Sequence, residues 1–373
     1  MSEKQYAEQV KSLAGQMRIP SESAMRMARE RLDAIAKPLD GLGMFEEMIV
    51  RMAGMQESAE VTVDPARLLV LCADNGIVEE GVTQSDASVT AAVAGSLARG
   101  TSSVCRMAQV VGIAHLTVDI GVRDAITGSK EKENIRDCRI RNGTRNFRKE
   151  PAMTGEEVLR TIQTGAELVK ESTEQGYRIL LTGEMGIGNT TTSAAMAAVL
   201  TGADVDTVTG RGAGLDDAGL KKKRSVIRES LEHYGFKNTN RMLIDREEVF
   251  RLLCTVGGYD IAGMVGIYLG GAIYGVPIVI DGVISAVAAL TAERIFPGCR
   301  HYMLPSHQGK EPAMELLLGA LHLQAPIHAA LALGEGTGAV MLIPLLRMAL
   351  AVYQGNTGFD QLGMNAYERY KTS

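Results

Sequence analysis

Apolar positions follow two different spacings along the 373-residue chain. Residues 4–36 place apolar side chains at helical spacing among charges, and a Met- and Phe-rich stripe continues this spacing over 44–53. From residue 67 onward, short continuous apolar runs take over, and they are typical of buried parallel strands. These strand candidates are residues 68–73, 114–120, 178–182 and 276–281.

Ala- and Gly-rich stretches between the strand candidates predict helices. They cover residues of about 87–111, 155–175, 191–201, 216–233 and 258–274. Residues 123–150 are charged and predict an exposed excursion, whereas the chain beyond residue 311 predicts helices, with apolar ones over 326–333 and 339–353. The alternation predicts an α/β protein with a mainly parallel sheet in its middle and helical ends.

Composition narrows the classes of function. The net charge of −5 gives no general attraction to nucleic acid or to an anionic membrane. The five cysteines are far apart, form no CxxC pair and indicate free thiols in a reducing compartment, and no spacing of His and Cys predicts a metal site. The first residues lack the apolar core of a signal peptide, and no apolar run is typical of a membrane span. We therefore expect a cytoplasmic protein.

The first stretch with chemical potential is residues 181–192, between a predicted strand and an Ala-rich helix. Gly186 and Gly188 allow close approach to a ligand, and Asn189 can cap a helix whose N–H groups favour an anion. The stretch is neither a Walker A loop nor a GxGxxG motif, and a tight glycine turn with ordinary capping would also explain it. Glu184 suits a sugar hydroxyl or a basic heterocycle better than a phosphate.

Two further stretches combine glycines with basic residues. The Gly-rich segment 209–217 precedes a run of four cations over 221–224, which opposes the helix dipole and suggests a nearby anion, although such runs are often solvated faces. Segment 305–312 ends on Pro312, which fits the first turn of a helix. Its loop, with His307, would therefore also lie at a positive helix end. His307 is equally well explained as a satisfied loop histidine.

The fourth stretch, residues 333–339, places Glu335 between two glycines and between two predicted apolar helices. Such surroundings would desolvate the carboxylate and raise its pKa. A carboxylate tuned in this way can take a proton near neutral pH. A glutamate on a surface turn remains the alternative for this segment alone.

Four motifs, in this order, resemble the nicotinate-nucleotide:dimethylbenzimidazole phosphoribosyltransferase family, with similarity from about residue 38 to 353. They are Pro38-x-x-Gly-Leu-Gly-x-Phe-Glu46, Ala73-Asp-x-Gly-x-x-x-Glu-Gly-Val82, Gly183-Glu-Met-Gly-Ile-Gly-Asn-Thr-Thr191 and Leu333-Gly-Glu-Gly-Thr-Gly338. The resemblance implies a Rossmann-like α/β domain over residues 61–319, with a smaller helical domain from residues 1–60 and 320–373. It also implies a dimer that shares its sites and needs no metal or other cofactor.

The resemblance implies transfer of phosphoribosyl from nicotinate mononucleotide to a lower-ligand base of a cobamide, a vitamin B12-type cofactor, with release of nicotinate. It makes Glu335 the general base. The residues that it places around the aromatic base are Glu184, Ser85, Asn75, Val93 and Leu333. The residues that it places around the nucleotide and its phosphate are Gly186, Gly188, Asn189, Thr190, Lys223, Gly309, Gly336 and Gly338.

Three positions depart from the family pattern. Asn75 stands where His is usual, Val93 aligns with a Gln that contacts the base in some members, and Gly309 lies in a loop that often carries Ser. The base is therefore either a benzimidazole or a phenolic compound, and the partner is either a second copy or a homologous subunit. A non-catalytic nucleotide-binding subunit of a heterodimer is the main rival. A dinucleotide-dependent oxidoreductase is disfavoured by the missing GxGxxG motif.

Overall fold

The structure, a computed structural model, describes residues 3–126, 134–236 and 245–369. These residues contain one six-stranded sheet in which every pair of neighbours is parallel. Its strands are β1 (Ala66–Ala73), β2 (Ala114–Gly121), β3 (Ile135–Asp137), β4 (Ile179–Met185), β5 (Ile278–Ile280) and β6 (Met303–Pro305). The spatial order is β3-β2-β1-β4-β5-β6. The predicted α/β class with a mainly parallel sheet is confirmed.

Helices cover the sheet, as parallel strands require. In chain order they are α1 (Glu3–Ala14), α2 (Glu22–Ala34), α3 (Met44–Met55), α4 (Ser88–Ala98), α5 (Ser103–Val111), α6 (Gly155–Glu174), α7 (Asn189–Thr201), α8 (Val205–Val208), α9 (Asp217–His233), α10 (Arg246–Val256), α11 (Tyr259–Tyr274), α12 (Val283–Ile295), α13 (Ala313–Leu321) and α14 (Thr337–Gly355). Short 3-10 helices occupy Gly76–Glu80, Cys299–Tyr302 and Asp360–Leu362.

Close helix packing fixes the position of α11. Its residues 259–273 are all buried, and it packs along α6 through glycines. A Cβ added at Gly165 of α6 would collide with the carbonyl oxygen of Gly263, and one at Gly266 would collide with that of Ile162. Because the two backbones approach this closely, the N-terminus of α11 is held rigidly at the carboxyl end of the sheet.

The strand order places a crevice where the site is expected. The strands β1 and β4 are neighbours, although β2 and β3 lie between them in sequence, and ligands of such sheets bind beyond the carboxyl ends of the strands at this point. The loops that follow β1, β4, β5 and β6 all begin at this edge. Asn75, Asp281 and His307 lie on these loops, and Glu184 is the second-last residue of β4.

The prediction of a helix over residues 326–333 is wrong. This segment is irregular and runs beside the loop that follows β6, where Gln308 and Lys310 donate backbone N–H groups to the carbonyl oxygens of Ile327 (2.8 Å) and Leu331 (3.0 Å). These bonds to a distant loop satisfy backbone groups that a helix would have paired internally. Glu335 is therefore carried on a loop rather than between two helices.

Other boundaries differ in smaller ways. The single helical stretch predicted over 87–111 is two helices, because Gly100 has a left-handed φ of 70° and the Ser102 side chain caps α5. The short strands β3 and β6 were not predicted. β3 lies within the predicted excursion 123–150, of which residues 127–133 lie outside the described part of the chain. The division into two domains stays a prediction.

The last helix, α14, is the only one in the described residues that is long and apolar enough to cross a membrane, judged by length and composition. Half of its apolar window is buried inside the protein, and it contains Pro344. Arg347 on the same helix forms an ion pair with Asp64 (2.6 Å) and donates to the carbonyl oxygen of Val111 (2.5 Å). These contacts are those of a helix packed within a globular protein.

Candidate active site

A buried carboxylate, Glu184, lies at the end of β4. The Asn189 side-chain amide donates to its Oε2 oxygen. Burial, and after it the negative charge of Asp260, raises the pKa of Glu184 to about 8, with smaller contributions from Asp281 and Glu335. Glu184 is therefore a strongly tuned carboxyl group at this edge of the sheet, a property that the sequence argument did not predict for it.

The loop that carries Glu335 is pressed against β4. A Cβ at Gly183 would collide with the Glu335 carbonyl oxygen, so only glycine allows the loop to lie this close. Glu335 itself has a left-handed φ of 61°, which is uncommon for a residue with a side chain. The buried carboxylate of Asp281 holds the loop, because it accepts the backbone N–H groups of Gly336 (3.2 Å) and Ala339 (3.0 Å).

The side chain of Glu335 reaches the N-terminus of α5. The Val104 N–H donates to Glu335 Oε2 at 3.3 Å. Free N–H groups at a helix N-terminus need hydrogen-bond acceptors, so this contact orients the carboxylate. Glu335 is only partly buried.

Glu184 and Glu335 flank the same crevice. A Cβ added at Gly334 would lie 3.1 Å from Glu184 Oε1, which places this oxygen next to the loop of Glu335. The two carboxylates differ in their surroundings, since one is buried among acids and the other contacts a positive helix end. Paired carboxyl groups with such different environments are typical of sites that separate two proton-handling roles.

A buried cation lies on the other side of the glycine loop. Lys223 is 1% exposed, and its Nζ donates to Thr190 Oγ1 at 2.9 Å. Burial lowers the pKa of Lys223 to about 8, and the charge of Glu311 opposes this shift. Together with the N-terminus of α7, which Gly188 begins at a left-handed φ of 94°, Lys223 forms a place where a phosphate would be stabilised.

The loop after β6 packs against the loop of Glu335 through a histidine. His307 is buried, and a Cβ at Gly338 would collide with its ring, while one at Gly309 would lie 3.5 Å from its Nε2. Its Nδ1 lies 2.9 Å from Ser306 Oγ. Burial lowers the pKa of His307, and burial raises the pKa of Asp281 while the facing His307 opposes that shift. His307 therefore links the two loops.

Four residues expected in the base pocket differ in their contacts and in their exposure to solvent. Asn75 is buried beside the glycine loop, where its Oδ1 accepts a hydrogen bond from Thr192 (3.4 Å) and its Nδ2 has no hydrogen-bond partner. Val93 is half-buried on α4 and packs against the core. Ser85 lies in the preceding loop, and the side chain of Leu333 is 55% exposed. The structure thus brings Asn75 to the glycine loop and leaves Leu333 open to solvent.

Three residues at the site were not found by sequence reasoning. Asp260 lies at the start of α11 and contacts Asn189, Asp281 holds the loop of Glu335, and Val104 supplies an N–H group to the carboxylate. Asp281 had a sequence signal, since it ends a predicted strand at the edge where sites form. The other two had none, because an acid at a helix start is ordinary and a backbone donor can be any residue.

Comparison with known proteins gives a consistent result. Residues 17–364 match the family model described as phosphoribosyltransferase. The chain is 37% identical over 344 residues to the nicotinate-nucleotide–dimethylbenzimidazole phosphoribosyltransferase of Acetivibrio thermocellus, covering 92% of this chain and 95% of that one. It is also 37% identical to the enzyme of that name from Pseudomonas putida, covering 89% and 91%.

A solved structure agrees in fold. The crystal structure of CobT from Thermus thermophilus superposes with a TM-score of 0.84 at 32% identity and covers 92% of this chain and 99% of that one. A second structure from the same organism, described as a nicotinate-nucleotide–dimethylbenzimidazole phosphoribosyltransferase, gives a TM-score of 0.83 with the same identity and coverage. The resemblance predicted from four motifs is confirmed, and the chain belongs to the nicotinate-nucleotide–dimethylbenzimidazole phosphoribosyltransferase family.

Proposed function

We propose that the chain transfers the phosphoribosyl group of nicotinate mononucleotide to an aromatic lower-ligand base, giving an α-ribotide and nicotinate for cobamide synthesis. The relatives named above carry this activity in their names, with dimethylbenzimidazole as the base. The observation that carries the proposal is the packing of the Glu335 loop, through Gly183 and Gly334, against the buried Glu184, with Lys223 bonded to Thr190 of the adjacent glycine loop. We place the enzyme in the cytoplasm.

The reaction needs one base and no acid. A lone pair of the nucleophile forms the new bond to the anomeric carbon, on the face opposite the leaving group. The bond to the nicotinate ring nitrogen breaks, and its electron pair neutralises the cationic pyridinium. The nucleophile loses its proton to the Glu335 carboxylate, which Val104 N–H and the loop contacts of Asp281 hold in place. Product inversion at the anomeric carbon follows from this geometry of attack.

The nucleotide would be bound mostly by backbone groups. Gly186, Gly188, Asn189 and Thr190 surround the N-terminus of α7, and Lys223 adds the charge for a phosphate. Gly309, Gly336 and Gly338 would complete the nucleotide site from the loop after β6 and from the start of α14, which pack together around His307.

The aromatic base would lie between the carboxylates and α4. Glu184 and Asn75 supply polar groups, and Val93, Ser85 and Leu333 form the rest of the proposed pocket. Because Val93 provides no hydrogen-bonding group, both a benzimidazole and a phenolic base fit this description. The exposed position of Leu333 indicates that one wall of the pocket is open in a single chain.

A dimer would cover an apolar face beside this open wall. The helix α14 directs Met341 and Met348 to solvent, and Val110 on the neighbouring α5 is 88% exposed. Exposed apolar side chains that cluster on one face are typical of interfaces between proteins. We propose that a second copy or a homologous subunit packs here.

Turnover by the pure chain distinguishes the enzyme from its rival, a non-catalytic subunit. The test is incubation with nicotinate mononucleotide and a panel of benzimidazoles and phenols, with products identified by mass spectrometry. Glu335→Gln should lower turnover about 10²–10⁴-fold while nucleotide affinity stays near normal, since general base catalysis typically contributes this much. The loss should be smallest for bases already ionised at the assay pH.

Glu315→Gln is the matched control, because Glu315 is an exposed glutamate on α13. It makes the same chemical change and should leave turnover unaltered. No product from the wild-type chain with any base would contradict the enzyme proposal. Near-wild-type turnover of Glu335→Gln on an un-ionised base would remove Glu335 from the role of general base.

A further inference from the structure

Asp260 is a fully buried carboxylate that the transfer reaction does not use. It is the second residue of α11, and its Oδ1 accepts the N–H of Ile261 at 3.0 Å, as an acid at a helix N-terminus commonly does. Its second oxygen, Oδ2, lies beneath the glycine loop, where a Cβ at Gly186 would be 3.0 Å away. Stabilisation of the helix therefore explains the position of Asp260 Oδ1 but not that of Oδ2.

Asn189 connects this second oxygen to Glu184. Its Nδ2 donates one hydrogen to Asp260 Oδ2 at 3.0 Å and the other to Glu184 Oε2. Because both partners are acceptors, the nitrogen and not the oxygen of the amide faces them. Two carboxyl groups thus converge on a single nitrogen inside the protein, and two buried carboxylates so close together cannot both be ionised.

The surroundings determine which of the two carries the proton. Burial, followed by the charge of Asp260, raises the pKa of Glu184 to about 8, and burial raises the pKa of Asp260 to about 6. Asp260 also accepts a backbone N–H, which stabilises its ionised form. The other titratable groups that face this pair are Cys72 in β1, Asp74 after β1, Asp281 after β5 and Glu335 in the last loop.

We propose that Asp260 is a positioning residue for the base pocket, whose negative charge, added to burial, holds Glu184 protonated as a neutral binding group, while Asn189 fixes the position of the two carboxyl groups relative to each other. Because Asn189 donates to Oε2, the proton lies on Oε1, the oxygen next to Gly334. A neutral carboxyl group both donates and accepts hydrogen bonds, and it can therefore bind an azole or a phenol. The proton of the nucleophile then goes to Glu335 and not to Glu184, so the two acids have separate roles.

The pH dependence of dimethylbenzimidazole binding tests this role. In the wild-type protein, affinity should fall as the pH rises through about 8, because Glu184 then ionises. Asp260→Asn removes the neighbouring charge and should move this fall to lower pH by about one unit or more. In a Glu184→Gln background, the same substitution should produce no further shift. A folded Asp260→Asn protein with an unmoved pH dependence would overturn the proposal.

Asp119→Asn is the control for loss of a buried carboxylate. Asp119 also accepts backbone N–H groups, from Gly121 (3.1 Å) and Val122 (2.9 Å), but it belongs to β2 and pairs with Arg139. Its neutral variant should be less stable and should keep the wild-type pH dependence. A shift as large as that of Asp260→Asn would show that the effect is structural.

Infrared spectroscopy provides a readout that needs neither turnover nor a folded Asp260 variant. At neutral pH, the difference between wild type and Glu184→Gln should contain the C=O band of a protonated carboxyl group, and the band should disappear as the pH rises through about 8. Its absence at neutral pH would overturn the proposal. The inference rests on the proposed function for the identity of the ligand, so a protein that shows the band but binds no aromatic base would contradict the proposed substrate and not the proton assignment.

Discussion

Lys223 offers a test in which stability and binding change in opposite directions. Its ammonium group is 1% exposed and has one neutral hydrogen-bond partner, Thr190. A buried cation of this kind costs folding energy in the free protein and becomes useful only when an anion arrives. Lys223→Met removes the charge and keeps an unbranched apolar side chain of similar shape, so it separates the two effects.

The stability effect follows from the pKa shift. Burial lowers the pKa of Lys223 from 10.5 to about 8, and at about 1.36 kcal/mol per pKa unit the charged form is disfavoured in the fold by about 3 kcal/mol. Because the folded pKa lies below the unfolded one, this penalty is fully present below pH 8 and disappears as the pH rises toward 10.5. Loss of the bond to Thr190 offsets about 1 kcal/mol. At neutral pH, Lys223→Met should therefore raise the free energy of unfolding by about 2 kcal/mol.

The binding effect has the opposite sign. A hydrogen bond from a charged group contributes about 1.5–3 kcal/mol, so Lys223→Met should raise the Kd for nicotinate mononucleotide about 10- to 150-fold. Wild-type affinity should also weaken above about pH 8, where free Lys223 loses its proton, and this weakening should be missing in the variant.

Urea unfolding and calorimetric titration at neutral and alkaline pH measure both quantities. Lys221→Met is the matched control, because Lys221 is an exposed lysine on the same helix. It should change the free energy of unfolding by less than about 0.5 kcal/mol and leave the Kd unaltered. A Lys223→Met protein that is less stable than wild type would refute the cost of burying the cation, and one that binds the nucleotide normally would refute the assignment of Lys223 to a phosphate.

Two further substitutions test the base pocket and the apolar face. Val93→Gln should shift the preference in a competition between a benzimidazole and a phenol toward the benzimidazole, because it adds a hydrogen-bonding group on α4; an unchanged ranking of products would remove Val93 from the pocket. Met348→Glu should convert a dimer into monomers in light scattering, because it places a charge on an apolar face, whereas an unchanged mass would place any interface elsewhere.

Much of the sheet could be predicted because its strands are buried on both faces. The continuous run Leu68–Ala73 differs from any surface helix, and β1 is found there. The apolar run 326–333 could not be resolved in the same way, because short apolar segments look alike whether helical or irregular. Its conformation depends on hydrogen bonds to Gln308 and Lys310, which are determined by tertiary structure.

The residues of the candidate site likewise differ in whether the sequence could predict them. Glu335 and the glycine loop could be identified because small residues around an acid form a local pattern. The link from Asp260 to Glu184 through Asn189 could not, because the three residues come from different segments and each has an ordinary local explanation. The raised pKa of Glu184 was likewise not predicted, since burial depends on what packs around a side chain.

The glycine at position 183 has a consequence for how such enzymes can diverge. Because any side chain there would collide with the Glu335 backbone, mutation at this contact is harmful whichever base is used. Val93 is half-buried on α4, and a change of its side chain leaves the contact between Gly183 and Glu335 intact. Evolutionary variation can therefore accumulate at the positions that would choose the acceptor while the glycine that lets the Glu335 loop lie against β4 stays fixed.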